Sequence, residues 1–168
     1  MTGQSRNLSA SVAARLLNRA KQTGDVYQTL LTSFCFERFL YRLGVSDVRE
    51  RFVLKGAMLL RLWSDQPYRA TRDLDLLRKG DGSFESIRRD VWAICTTKVE
   101  PDAVVFDPDS IRIEAIRAED EYSGTRTTLL ARCGTARLSV LADLRRGTGY
   151  EGIWMAGGPW RPPARKSP

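Results

Sequence analysis

The chain has 168 residues, 42% of them hydrophobic, and its 27 lysines and arginines against 20 aspartates and glutamates give a net charge of +7. This size and composition predict one domain with one moderate core, and the positive charge favours polyanionic partners such as RNA. The sequence contains no histidine, which excludes a Ser-His-Asp or Cys-His triad and any histidine-ligated metal.

Two helices are predicted in the amino-terminal part of the chain. Polar capping residues, followed by apolar positions at helical spacing, indicate a first helix that starts near residues 8–11 and ends at Gly24. A second helix is predicted over about residues 26–43, with a wide apolar face and with Gly44 placed to stop it.

The cysteines and the absence of long apolar runs bear on the compartment. Cys35, Cys95 and Cys133 are odd in number, widely spaced and without a Cys-x-x-Cys pair. They predict reduced thiols rather than a disulfide framework or a zinc site. The amino terminus is polar and no apolar run approaches the length that crosses a bilayer, so we expect a cytoplasmic protein with no membrane partner.

Residues 52–77 read as a strand, a glycine turn, a short helix, a loop and a second strand. Side chains alternate along a strand, so Thr71, Asp73 and Asp75 are predicted on one face while leucines occupy the other. Neighbouring carboxylates repel unless a cation or a shared proton intervenes, and hard oxygen ligands suit Mg²⁺ held together with substrate phosphates. A solvated strand edge would also explain an Asp-x-Asp pattern.

Several residues near these carboxylates could contact a phosphate. Gly56 has no Cβ, so its backbone can approach an anion at the start of the following helix. Lys55 could reach a triphosphate, although no Walker motif is present and a solvent-facing lysine explains it equally well. Arg69 is a better candidate for gripping phosphate than Arg72, which is predicted on the opposite face. Thr71 could hydrogen-bond nucleotide or metal-bound water.

The remainder of the chain predicts one more helix and several strands. The helix spans about residues 83–96, and two strands then flank a turn at residues 107–109. The last strand is predicted at residues 136–144. Asp143 lies at its carboxyl end, where it could complete a three-acid site with the two earlier aspartates or be a solvated strand end.

Several separated blocks together resemble a known family. They are similar to the nucleotidyltransferases of the AbiEii/AbiGii toxin family, which belongs to the DNA polymerase beta-like superfamily. The blocks are Leu-Lys-Gly-Ala-Met-Leu at residues 54–59, Leu-Trp at 62–63 and Arg-Ala-Thr-Arg-Asp-Leu-Asp-Leu-Leu at 69–77, with further similarity over 11–46 and 105–143. The resemblance implies an α+β fold with amino-terminal helices packed on a small mixed β-sheet of nucleotidyltransferase type.

The resemblance also implies an activity: a toxin of a toxin–antitoxin or phage-defence system that transfers a nucleotide from an NTP to an RNA acceptor, expected to be tRNA. Its metal would be Mg²⁺ or Mn²⁺, and a cognate antitoxin would be its protein partner. The implied catalytic and metal-binding residues are Asp73, Asp75 and Asp143. The implied nucleotide-binding residues are Lys55, Gly56, Ala57, Arg69 and Thr71. Arg126 matches the family without an assigned role.

The sequence departs from the family after Asp143. Relatives continue with an Ile-Gly-Phe-Gly-like segment and a long helical half, whereas this chain becomes basic and rich in glycine and proline. We therefore expect a nucleotidyltransferase-like domain at residues 1–144 and a disordered tail at 145–168. Within the domain, the helical part would be residues 8–45 and the catalytic sheet 50–144. Two alternatives to an active enzyme are a truncated, inactive remnant that binds RNA or the antitoxin, and a simple basic RNA-binding module.

Overall fold

The computed structural model describes residues 3–58, 71–116 and 124–146. Within them, helices α1 (Gly3–Thr23) and α2 (Tyr27–Val45) precede strands β1 (Phe52–Lys55) and β2 (Leu74–Arg78). Helix α3 (Phe84–Thr96) and strands β3 (Val104–Ile116), β4 (Gly124–Cys133) and β5 (Ala136–Arg146) follow. The predicted class, α+β with amino-terminal helices packed on a small mixed sheet, is confirmed.

The five strands form one sheet in the order β1-β2-β5-β4-β3. Strands β2 and β5 are parallel, and each of the other neighbouring pairs is antiparallel. A parallel pair needs a long crossover, which here contains α3, β3 and β4. Residues of β2 and β5 that are distant in sequence therefore lie side by side inside the sheet.

The two faces of the sheet differ in burial. On one face, packed against the helices, the inward residues of the two parallel strands are Leu74, Leu76, Val140, Ala142 and Leu144, all buried. The side chains between them are partly or fully exposed and point to the opposite side, which we call the open face. Period-two alternation thus puts these five apolar residues in the core and leaves Asp75, Asp143 and Arg145 on the open face.

The helix limits differ in part from the prediction. Helix α1 begins before the predicted cap at residues 8–11, which lie inside it. Gly24 does end α1, with a left-handed φ of +74°. Gly44 does not stop α2, because the helix continues through Val45. Ser46 follows, and its hydroxyl donates to a carbonyl of the last turn at 2.8 Å.

The predicted turn at residues 107–109 does not divide two strands, although the Asp107 carboxylate does accept the Asp109 N–H at 3.2 Å. Strand β3 runs through these residues and shifts its register with β4 between Asp107 and Arg112. The Ser110 hydroxyl donates to the Asp107 carbonyl at 2.5 Å and accepts the Leu130 N–H at 2.8 Å, which ties the irregular segment to β4. The turn-forming residues therefore make a bulge within one strand instead of separating two strands.

The last strand also extends further than predicted. Strand β5 continues through Arg145 to Arg146, past the domain limit expected at residue 144. The rest of the predicted tail, residues 147–168, lies outside the described residues. None of the helices in the described part of the chain is long and apolar enough to cross a membrane.

A buried ion-pair network joins β2 to α3. The Asp90 side chain is 1% exposed and accepts from Arg78 Nε at 2.9 Å and Nη2 at 2.6 Å. Arg78 Nη2 also donates to Ser86 Oγ at 2.8 Å, and Arg51 Nη1 donates to the second Asp90 oxygen at 2.5 Å. Local sequence gives no sign of this network, because an arginine at a strand end is usually solvent-facing.

All three cysteines are free and buried. Burial raises the pKa of the Cys35 and Cys95 thiols to about 12, and it raises the pKa of Cys133 as well. Since only the thiolate reacts, we expect DTNB at neutral pH to modify no cysteine in the folded protein and all three in urea. Absorbance of the released thiolate counts the modified residues. Rapid modification of the folded protein would contradict this arrangement.

Candidate functional site

The open face brings together acids from different parts of the sequence. Asp75 in β2 and Asp143 in β5 are direct partners in the parallel register. Asp73 lies in a bend just before β2, so the prediction that it belongs to the strand is wrong by one residue. Asp73 and Asp143 nevertheless both lie close enough to Asp75 to act on its carboxylate electrostatically.

Repulsion among these acids is visible at Asp75. Its pKa is raised, first by burial and then by the charges of Asp73 and Asp143, while Arg145 and Lys55 act in the opposite direction. A cation bound beside Asp75 would relieve this repulsion and favour its ionised form. A bound cation would thus offset the repulsion that Asp73 and Asp143 exert on Asp75.

The acids belong to a row of charged side chains that crosses all five strands. Successive register pairs join Lys55 to Asp75, Asp75 to Asp143, Asp143 to Arg126 and Arg126 to Glu114. Register partners on neighbouring strands lie about 5 Å apart on the same face. The acid pair is thus flanked on each side by a basic residue.

Arg126 forms a bidentate ion pair with Asp143. Its Nε and Nη2 donate to the two carboxylate oxygens at 2.8 Å each, and these hydrogen bonds raise the pKa of Arg126. Both oxygens of Asp143 are therefore engaged by the guanidinium. Local sequence gives no sign of this pairing, and only the resemblance to the family had drawn attention to Arg126.

The donor set suits a cation that is shared with a substrate. Among residues 3–58, 71–116 and 124–146, no group of three or more His, Cys, Asp or Glu side chains could hold a metal ion by itself. Mg²⁺, however, is commonly bound by one or two carboxylates together with substrate phosphates rather than by a complete protein cage. Asp73 and Asp75 fit that requirement, whereas Asp143 would first have to exchange Arg126 for the ion.

Gly56 lies against the Asp75 carboxylate. It has a left-handed φ of +68°, and a Cβ built on it would overlap Asp75 Oδ2. The glycine therefore leaves room for the Asp75 carboxylate. Its sequence position had predicted an approach to phosphate and gave no sign of this contact. Lys55 is exposed at the end of β1, and Ala57 lies in the helical turn at residues 56–58 that follows.

Replacing Gly56 with alanine should displace the Asp75 side chain, because the new methyl group would occupy its place. We expect a loss of about 1–3 kcal/mol in the free energy of unfolding, with strain from the positive φ included. Gly44→Ala is the matched control, since nothing lies within 4 Å of its added Cβ, and in a helix it should stabilise by about 0.5–1 kcal/mol. Urea unfolding of both variants measures the difference; similar values would contradict the close approach.

Thr71 is the other predicted nucleotide-binding residue that the structure describes. Thr71 precedes β2, and its hydroxyl donates to the Asp73 carbonyl at 2.8 Å and lies 3.3 Å from Asp73 Oδ1. It therefore supports the bend that carries Asp73. Arg72 is exposed. Arg69 lies outside the described residues.

A cavity of about 380 Å³ opens near the carboxyl ends of β2 and β5. Its walls include Arg78, Phe84 and Ile87, which belong to the helix-covered side of the sheet. None of the three acids lines it. The candidate site is therefore the partly buried cluster of Asp73, Asp75 and Asp143 on the open face. The cavity is its neighbour, since Arg145 lines the cavity and also acts on Asp75.

Comparison with known proteins connects the acid cluster to a family. A family model described as nucleotidyl transferase AbiEii toxin, type IV TA system, matches residues 38–148, which contain all three acids. No curated protein matches the sequence.

Two solved structures from Helicobacter pylori are similar to the chain. JHP933 is 15% identical with a TM-score of 0.44, and the match covers 72% of this chain and 45% of that one. A candidate nucleotidyltransferase is 19% identical with a TM-score of 0.41, with the same two coverages of 72% and 45%. The chain thus spans less than half the length of either protein.

Proposed function

The chain belongs to the AbiEii nucleotidyltransferase toxin family, and on that basis we propose that it transfers a nucleotide from an NTP to RNA, with tRNA as the expected acceptor. The observation that carries this proposal is the side-by-side placement of Asp75 and Asp143 with Asp73 adjacent. Within the matched family span, this cluster suits the metal-assisted chemistry of phosphates.

We assign the binding of Mg²⁺ or Mn²⁺ to Asp73 and Asp75. A divalent ion held there would supply positive charge to the triphosphate and to the transition state of phosphoryl transfer. Lys55 is exposed and is the register partner of Asp75, so its ammonium group would contact the same phosphates. Thr71 would keep the Asp73 bend in place through its hydrogen bond to the Asp73 carbonyl.

In the proposed reaction, a hydroxyl oxygen of the RNA attacks the α-phosphorus of the NTP. The bond from that phosphorus to the bridging oxygen breaks, pyrophosphate leaves, and the nucleotide becomes joined to the RNA. Asp143 would accept the proton of the attacking hydroxyl. Arg126 donates hydrogen bonds to both oxygens of Asp143, so this role requires the guanidinium to move away. The guanidinium could then pair with the negative charge that develops on the phosphate.

The toxin role and its partner belong to the same proposal. The matching family model is described as a type IV toxin–antitoxin toxin. We therefore propose that the protein is a cytoplasmic toxin that acts in phage defence and that a cognate antitoxin binds it. A second candidate is an inactive remnant that binds RNA or the antitoxin. It is favoured by the ion pair in which Arg126 occupies both carboxylate oxygens of Asp143.

Transfer can be tested with each α-labelled NTP, Mg²⁺ and total tRNA. Label should appear in the RNA for at least one nucleotide and should disappear when EDTA removes the divalent ion. If the folded protein leaves the RNA unlabelled under conditions in which an active relative labels it, the result would support the inactive remnant. RNA binding without any nucleotide binding would instead indicate a simple basic RNA-binding module.

A further inference from the structure

Beyond the acid cluster, the open face carries further arginines. Arg132 in β4 and Arg137 in β5 are direct register partners near the turn that joins the strands. Arg112 in β3 pairs with Thr128 of β4, between that turn and the acids. These three arginines, which we call the arginine line, are exposed.

Strand geometry puts the arginine line on the same face as the acids. Along β4, Arg126, Thr128 and Arg132 are separated by even numbers of residues and so share a face. The intervening side chains on the other face are Thr127, Leu129 and Ala131, all buried. Arg137 and Asp143 share a face of β5 by the same rule. The line therefore leads over the open face toward the acid cluster.

No side chain of the arginine line forms an ion pair within the described part of the protein, although Glu114 lies on the same face. Neither the ion pairs nor the hydrogen bonds of residues 3–58, 71–116 and 124–146 involve the side chains of Arg112, Arg132 or Arg137. Like charges directly opposite one another on neighbouring strands are destabilising. The Arg132 and Arg137 pair therefore opposes folding and would be compensated by a bound polyanion.

We propose that the arginine line binds the phosphodiester backbone of the RNA acceptor and directs its reactive end to the acids. This inference rests on the proposed function. At about 3.3 Å per residue, Arg132 lies roughly 20 Å along β4 from Arg126, a distance that several nucleotides span. Val105 and Leu130, 42% and 40% exposed on the same face, add apolar surface for sugars or bases. Recognition would be of the backbone and largely independent of sequence.

The matched test compares two double variants. Arg132→Gln/Arg137→Gln removes two charges from the line, whereas Arg15→Gln/Arg19→Gln removes two exposed arginines from α1. The probes are a short fluorescein-labelled single-stranded RNA and a labelled tRNA transcript, titrated by fluorescence anisotropy at several salt concentrations. The first variant should bind about tenfold more weakly at low salt, with the slope of log K against log salt reduced by about 1.4, or about 0.7 per lost contact. The α1 control should bind like wild type.

Two further variants separate the surface from the chemistry. Arg132→Lys/Arg137→Lys keeps both charges and should retain most of the salt dependence, while a urea unfolding curve confirms that each variant folds. Asp75→Asn should bind the labelled RNA as wild type does even though its transfer rate falls, so a failure of the proposed transfer and a failure of RNA binding are distinguishable. The proposal would be overturned if the strand and α1 variants weakened RNA binding equally. It would also be overturned if the strand variant bound RNA as tightly as wild type, which is the result expected if the arginine line instead contacts an acidic protein.

Discussion

Replacing Asp75 with asparagine is expected to lower the rate of nucleotide transfer about 10³-fold while leaving the protein at least as stable as wild type. Loss of a metal-holding carboxylate removes several kcal/mol of transition-state stabilisation, and each 1.36 kcal/mol corresponds to a factor of ten in rate. Stability should move the other way, because the pKa of Asp75 is raised by burial and by Asp73 and Asp143.

The sign of the stability effect follows from proton linkage. Folding favours the protonated form of a carboxyl group whose pKa is higher in the folded state than in the unfolded state. The ionised Asp75 therefore opposes folding at neutral pH, and this cost is relieved as the pH falls through its folded-state pKa. Asparagine is neutral and of similar shape, so Asp75→Asn removes this cost at every pH at which Asp75 would be ionised.

Transfer rates and urea midpoints at neutral pH give the two halves of this result. Asp109→Asn is a suitable control, because Asp109 is exposed in the β3 bulge and lies outside the charged row. It should leave the transfer rate within about a factor of two. If Asp75→Asn transferred nucleotide about as fast as this control, Asp75 would have no role in the reaction. If Asp75→Asn were clearly less stable than wild type, the charge of Asp75 would stabilise the fold.

Asp90→Ala is expected to destabilise the protein by about 3–5 kcal/mol. It would leave the Arg78 guanidinium, 4% exposed, buried without its carboxylate partner. Glu50→Ala is the control, because the Arg49 and Glu50 side chains pair at 3.0 Å but are 56% and 65% exposed. Such a surface pair contributes about 0–1 kcal/mol.

Urea unfolding of both variants measures the contrast. The double variant Arg78→Met/Asp90→Leu should recover much of the loss, since apolar replacement of a buried ion pair is often neutral or stabilising. If Asp90→Ala were as mild as Glu50→Ala, the network would not be buried as the structure shows.

Features that depend on local periodicity could be predicted from the sequence. The alternation of β2 correctly put Leu74 and Leu76 in the core and Asp75 on the other face. The start of α3 was also local, because the Ser83 hydroxyl caps it by accepting the Ser86 N–H at 3.3 Å. Local sequence could not decide whether residues 107–109 separate two strands or form a bulge in one, since this depends on pairing with β4.

The candidate site was predictable only in part, for a similar reason. The resemblance placed Asp143 with Asp73 and Asp75, and the parallel register brings Asp143 beside Asp75. The ion pair of Arg126 with Asp143 and the arginine line depend on registers among β3, β4 and β5. Strand register emerges from the packing of the whole sheet, so these relations could not be read from any one segment.

The number of Mn²⁺ ions bound together with a non-hydrolysable nucleoside triphosphate analogue provides the decisive test of the acid cluster. The loss of the electron paramagnetic resonance signal of free Mn²⁺, beyond the loss that the nucleotide analogue causes without protein, counts them, and the measurement needs no RNA. Wild type should bind Mn²⁺ saturably when the nucleotide is present, and Asp75→Asn should lose that binding. Equal binding by the two proteins, or none by a folded wild type, would contradict the assignment of the acids to a metal–nucleotide site.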